Sequence, residues 1–225
     1  MTFRGLFLAA ALGLGAASCT GPAAAESVAA APAAKRQSSE AGGLKTAIFA
    51  GGCFWGVEAV FSHMKGVTSA VSGYHGGTAR SAKYDVVSSG MTDHAEAVKV
   101  TYDPRVVRYD QLLRVFFSVI ADPTLKNRQG PDVGTHYRAA LVPMSAEQNA
   151  VASAYLAQMK ASGVWKRPIV TNIERAQAFY PAETYHQDFA LKNPDHGYIR
   201  QWDAPKVAAL QRMYPGLYTA SFRRN

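Results

Sequence analysis

One short run carries more reactive potential than any other in the chain: Gly51-Gly52-Cys53-Phe54-Trp55-Gly56. A glycine pair ends an apolar, strand-like run and lets the backbone turn sharply. Phe54, Val57, Val60, Phe61 and Met64 then recur at helical spacing, with Gly66 as the stop. That pattern puts Cys53 in the first turn of a helix. Unpaired N–H groups and the positive end of the helix dipole favour an anion there. The expectation is a thiol of depressed pKa, with its thiolate populated near neutral pH. Two adjacent large aromatics cannot both face one core, so Phe54 or Trp55 is expected at the surface beside the sulfur. The plain alternative is a buried, inert cysteine in a glycine-rich turn.

Glu96 is the second candidate. Glu96, Val98, Val100 and Tyr102 alternate with Ala97, Lys99 and Thr101, as in a strand. The valine side should be the core side, and a carboxyl buried there favours its neutral form, as a general acid requires. Its alternative is a strand-end glutamate in solvent. Any one of the 11 tyrosines reads by itself as a packing residue. His94, His136 and His186 form no His-x-x-x-His pair and have no cysteine pair beside them, so no metal site is expected. Two cysteines in 225 residues exclude a disulfide-stapled scaffold and zinc sites of the four-cysteine or Cys3His type. The net charge of +8 attracts acidic partners weakly, and Lys35-Arg36 and Arg223-Arg224 read as solvated pieces. Nucleic-acid binding would need a larger basic patch on a known module.

The elements that must position these residues can be sketched. Strands are expected at 45–50, 96–102, 137–142 and 168–174, and helices at 53–64, 109–120, 146–161, 183–191 and 205–213. Residues 74–93 and 121–136 read as loops, and Ser145-Ala146-Glu147-Gln148 as a capping box. Strands interleaved with helices predict an α+β fold, a two-layer α/β sandwich (a ferredoxin-like plait) with a long irregular C-terminal part.

The N-terminus is different in kind. Arg4 followed by an uncharged apolar run from Gly5 to Ala17 is too short to cross a bilayer, which needs roughly 20 residues, and suits a signal-peptide core. It ends in Ala16-Ala17-Ser18-Cys19, which resembles a bacterial lipobox and implies cleavage before Cys19 and a lipid on its sulfur. Soluble secretion, with cleavage after Ala23-Ala24-Ala25, is the rival. Residues 1–18 are therefore expected to be a signal peptide. Residues 19–43, rich in Ala, Pro and Ser, are expected to be a disordered tether, and 44–225 one catalytic domain. The implied location is the bacterial cell envelope, as a periplasm-facing lipoprotein with the outer membrane preferred, or as a secreted periplasmic protein.

Gly52-Cys53-Phe54-Trp55-Gly56 resembles the active-site signature of the A type of peptide methionine sulfoxide reductase. Further blocks follow in order: Gly73-Tyr74-His75-Gly76-Gly77, Tyr84, Asp93-His94-Ala95-Glu96-Ala97-Val98 and Tyr102-Asp103-Pro104. Then come Asn127-Arg128-Gln129-Gly130, Asp132 to Arg138, Phe179 to Glu183 and Tyr185-His186-Gln187. The resemblance spans about residues 45–198. It implies reduction of the S epimer of methionine sulfoxide, free and in proteins, with Cys53 as nucleophile and Glu96 as acid. Tyr84 and Tyr137 would donate hydrogen bonds to the sulfoxide oxygen. Asp132 would be a supporting polar residue near the substrate, and Phe54 and Trp55 a cup for the S-methyl group.

The chain departs from the family pattern at one place. Many members have a second cysteine after the run corresponding to Asn193–Tyr198; here Ile199 follows, and no cysteine comes after Cys53. Attack by Cys53 leaves a sulfenic acid, which is expected to be reduced by an external thiol, thioredoxin-, glutaredoxin- or glutathione-like, with no bound cofactor. A Cys19–Cys53 disulfide is a minor alternative, closed if Cys19 is lipidated. Two rival functions stand beside the enzyme: a cysteine hydrolase, and a lipid-anchored module that binds methionine or its sulfoxide without turnover.

Overall fold

The computed structural model describes residue 1 and residues 29–224. The expected signal peptide and Cys19 thus lie outside the described residues. Among the described residues the strands are β1 Lys45–Gly51, β2 Val67–His75, β3 Ala95–Tyr102, β4 Arg128–Gln129, β5 Asp132–Val133, β6 Ala139–Val142, β7 Asn172–Ile173 and β8 Phe179–Pro181. The helices are α1 Phe54–Ser62, α2 Tyr84–Val87, α3 Tyr109–Val115, α4 Ala146–Ala161, α5 Phe189–Lys192 and α6 Ala204–Met213. Two π-helical turns, Phe116–Ile120 and Ile199–Asp203, extend α3 and lead into α6.

Six strands form one sheet in the order β7-β6-β1-β3-β2-β8, antiparallel except for the β6–β7 pair. Its centre, β6-β1-β3-β2 with α1 and α3 as crossovers, is the expected plait. The period-two patterns explain the layers. Phe49 lies opposite Val98 and Leu141, and all three join the large core beneath the helices. The other face carries the smaller Ile48, Ala50, Ala95, Ala97, Ala140 and Val142. Phe49 anchors an aromatic cluster, with ring centroids 4.7 Å from Phe61 and 5.5 Å from Phe116. Each such buried ring contributes about 1.5–3 kcal/mol.

Several expectations shift. Of residues 168–174 only Asn172–Ile173 pairs as strand; the Val170 N–H instead donates to the Pro123 carbonyl. The helix expected over 183–191 is broken at Asp188, which takes φ 55° and whose N–H donates to the buried Glu58 carboxylate. The strand expected from Tyr137 begins at Ala139, after a 3-10 turn over Thr135–Tyr137. The loop of 121–136 contains the β4–β5 ribbon, and α2 interrupts the loop of 74–93.

The largest correction concerns the tether. Residues 31–40 are a strap bound along α3 and α4. Ala31 is buried, its N–H donates to Ser118 Oγ at 2.9 Å, and its carbonyl accepts from Arg114 Nε at 3.0 Å. The Tyr155 hydroxyl reaches the Pro32 carbonyl, and the Gln158 amide brackets Ala33 and Lys35. The Ser38 N–H donates to Asp110, and the Ser39 N–H to Glu147. At its end Glu40 accepts from the Tyr102 hydroxyl (2.5 Å) and from Gln148 Nε2 (3.0 Å). The segment has few apolar side chains of its own; polar side chains on other elements satisfy its backbone and fix it.

Candidate active site

Cys53 terminates the β1 turn and is the N-cap of α1, one residue before the first turn that its sequence predicts. The glycines before it have specific work. Gly52 has φ 87°, and a Cβ there would come 2.6 Å from Gln129 Cβ, so a side chain at 52 meets both strain and a clash. Beyond Cys53, Phe54 turns inward and is enclosed, with its ring 6.0 Å from Tyr74 and 5.0 Å from His186. Trp55 stays partly open, as one of the pair had to. It stacks on Phe189 at 3.7 Å and meets Tyr198 edge-on at 5.9 Å. Its Nε1–H donates to His186 Nδ1 at 3.1 Å, which makes the neutral Nε2–H tautomer of His186 the one that fits.

Glu96 enters from β3, opposite Tyr74 and on the face of Val98 and Val100, as its alternation predicts. It is 2% exposed, and its Oε2 accepts the Phe54 N–H at 3.0 Å. The carboxyl thereby reaches the helix end that Cys53 leaves without a side-chain cap. Burial lifts the Glu96 pKa to about 8, against the pull of the Phe54 N–H, with Asp132 and Asp203 pushing the same way as burial. The carboxyl is neutral at pH 7, as an acid catalyst must be.

The expectation for the sulfur is overturned. Cys53 is 8% exposed, and burial pushes its thiol well above the usual range. Glu96 once ionised, Asp203 and Asp132 push it further, and the hydrogen bond to the Trp55 backbone opposes them. A helix start favours an anion only while few negative groups and little desolvation compete; here both compete, and the resting sulfur is a thiol.

Tyr84, Tyr137 and Asp132 all belong to the same cluster. Burial raises both tyrosine hydroxyls above their ordinary range, with Glu96 and then Cys53 as the next causes, so each lies within electrostatic reach of both groups. The Tyr84 N–H is held by Glu183, whose other oxygen accepts from the Tyr74 hydroxyl at 2.8 Å. Tyr137 sits in the 3-10 turn against the His136 ring, 4.1 Å away. Asp132, on β5, is pushed up by burial and held back by Tyr198, Lys206 and His136. The Tyr198 hydroxyl donates to Asp132.

Tyr198, Asp203 and Lys206 were not singled out from the sequence. Tyr198 closes the Asn193–Tyr198 run and could have been raised there. Asp203, just before Ala204-Pro205, reads locally as a helix cap, and nothing in its neighbourhood marks it as close to Cys53.

Comparison with known proteins identifies the family. Residues 45–216 match the family described as peptide methionine sulfoxide reductase. The peptide methionine sulfoxide reductase MsrA 2 of Mesorhizobium japonicum is 52% identical over 177 residues, 79% of this chain and 91% of that protein. The MsrA of Deinococcus radiodurans is 50% identical over 168 residues, 75% of this chain and 81% of that protein. Among solved structures, Mxr1 from Saccharomyces cerevisiae in reduced form matches with a TM-score of 0.60 at 34% identity, covering 72% of this chain and 92% of that one. Methionine sulfoxide reductase A of Corynebacterium diphtheriae matches with a TM-score of 0.57 at 33% identity, covering 68% of this chain and 76% of that one.

Proposed function

The chain belongs to the A type of the peptide methionine sulfoxide reductase family and reduces methionine S-sulfoxide; we propose that it does so through Cys53 and Glu96, with an external thiol closing the cycle. The supporting observation is a carboxyl buried beside the nucleophile and held neutral by that burial. A sulfoxide sulfur is a poor electrophile until its oxygen takes a proton. Glu96 supplies that proton, while the hydroxyls of Tyr84 and Tyr137 donate to the same oxygen. Trp55, pinned by Phe189 and His186, walls the S-methyl group. Asp132 and Tyr198 hold the opposite rim.

In sum, Cys53–SH and the sulfoxide give Cys53–SOH and methionine. The Cys53 sulfur bonds to the substrate sulfur as Glu96 protonates the sulfoxide oxygen and regains its proton from the thiol; the hydroxyl then passes to the Cys53 sulfur as the sulfur–sulfur and substrate S–O bonds break, and methionine leaves. An external thiol RSH then forms Cys53–S–S–R with loss of water. A second RSH releases RSSR and restores Cys53–SH. Two features support this route: no cysteine of this sequence comes after Cys53, and Cys19 has no thiol to give once lipidated.

Incubation with methionine sulfoxide and no reductant tests this reading. One equivalent of methionine and a sulfenic acid on Cys53 are expected, and none from Cys53→Ser. Multiple turnovers without added thiol would exclude the external route. The substrates we propose are free methionine sulfoxide and oxidised envelope proteins. The proposed location is the cell envelope, with Cys19 lipidated; mass spectrometry of the mature N-terminus checks it.

A further inference from the structure

The segment that follows Tyr198 packs against the opening turn of α1. Its π-helical turn ends in Asp203, which is wholly buried, and the next turn brings Lys206 Nζ to 3.9 Å from Asp203 Oδ1. Both groups sit over Gly56. A Cβ at position 56 would lie 2.2 Å from Asp203 Oδ1 and 3.5 Å from Lys206 Nζ. The missing side chain at 56 is what allows a carboxylate to approach the helix start.

This one segment therefore delivers three groups to one side of the site. Tyr198 bonds Asp132, Asp203 lies under Gly56, and Lys206 faces both Asp203 and Asp132. Around the sulfur the other groups are Glu96 from β3, Asp132 from β5, the hydroxyls of Tyr84, Tyr137 and Tyr198, and the Trp55 backbone. Glu96 is already spoken for as the acid, and Asp132 is bound to Tyr198. Asp203 is the acidic neighbour of Cys53 that the reaction scheme leaves without a task.

We propose that Asp203, seated on Gly56 and balanced by Lys206, is a positioning residue that adds to burial in holding Cys53 as a thiol until substrate is bound. It acts in two ways. Its packing under Gly56 holds the first turn of α1 against the segment that carries Tyr198. Its charge also makes a second negative group at Cys53 unfavourable, so the thiol proton leaves only for a base, the Glu96 carboxylate formed when bound substrate takes the Glu96 proton. The proposal rests on Cys53 being the nucleophile, but its test reads the sulfur directly and does not depend on turnover.

The experiment is the pH profile of Cys53 alkylation by iodoacetamide in the full-length protein, measured without substrate. Asp203→Asn keeps the shape and removes the charge. Its alkylation midpoint is expected to fall by about one pH unit, giving roughly tenfold faster alkylation at pH 7. Lys206→Met removes a balancing cation from Asp203 and should move the midpoint up. A merely structural Asp203 would change melting temperature and kcat but not move these midpoints in opposite directions. An unchanged or raised midpoint in Asp203→Asn overturns the proposal. If Asp203→Asn fails to fold, Lys206→Met decides: an upward shift supports the proposal, and no shift or a downward one overturns it. Loss of sulfoxide reduction in Cys53→Ser is scored separately, so failure of the nucleophile assignment is distinguishable.

Discussion

Two glutamates, one half-buried and one fully buried, show how differently this molecule treats an acid. Glu40, at the end of the strap, accepts from the Tyr102 hydroxyl, Gln148 Nε2 and Ser38 Oγ. Glu96 accepts one backbone N–H and is otherwise pressed by desolvation and by two acidic neighbours. The first site shares its carboxylate oxygens among partners from three chain segments and gains stability. The second leaves its carboxyl short of donors, so that the proton stays on it. The same residue type thus serves as a clasp in one region and as a reagent in the other, and the donor count around it decides which.

The sharpest way to test this contrast is to neutralise the reagent. Glu96→Gln should slow sulfoxide reduction on the order of 10^2-fold or more and remove the fall in kcat/KM that wild type should show above pH about 8. The same change should raise stability. Glu96 ionises at about 8 in the fold against 4.5 in the open chain, so its contribution is full at low pH and is lost as pH rises through that window. At pH 7 the glutamine is therefore expected to gain about 1–3 kcal/mol, read as a higher melting temperature. A destabilised Glu96→Gln would break the comparison.

The clasp should behave in the opposite way. Deleting residues 29–41, with the preceding chain also removed, is expected to lower the melting temperature by roughly 5–10 °C, from about 2–3 kcal/mol of lost bonds. At 25 °C kcat should stay within twofold. A large fall in kcat with an unmoved melting temperature would assign the strap to catalysis instead. The smallest effect is expected at the site rim. Tyr198→Phe loses its bond to Asp132 and should raise KM by about fivefold with kcat little changed. Equal losses in kcat and kcat/KM would place Tyr198 in the chemical step.

Much of this was legible from residue pattern. The alternation through Val98 and Val100 placed Glu96 on the core side, and the helical spacing after Cys53 gave α1. The strap was not legible, because composition reports what a segment can bury by itself and not the side chains waiting for it on α3 and α4. The protonation of Cys53 was misjudged for a related reason. Its local position at a helix start favours a thiolate, but the opposing carboxyls arrive from β3, β5 and the π-helical turn, at least 43 positions away in sequence. Local rules set the elements here; remote neighbours set the charges.

The enclosed, protonated sulfur carries one more consequence. Peroxide and hypochlorite attack thiolates that solvent can reach, and repeated attack drives a cysteine to the irreversible sulfinic and sulfonic acids. A nucleophile that is 8% exposed and uncharged at rest presents a poor target to those oxidants. The damage it mends would then reach it mainly second-hand, through methionine side chains oxidised elsewhere.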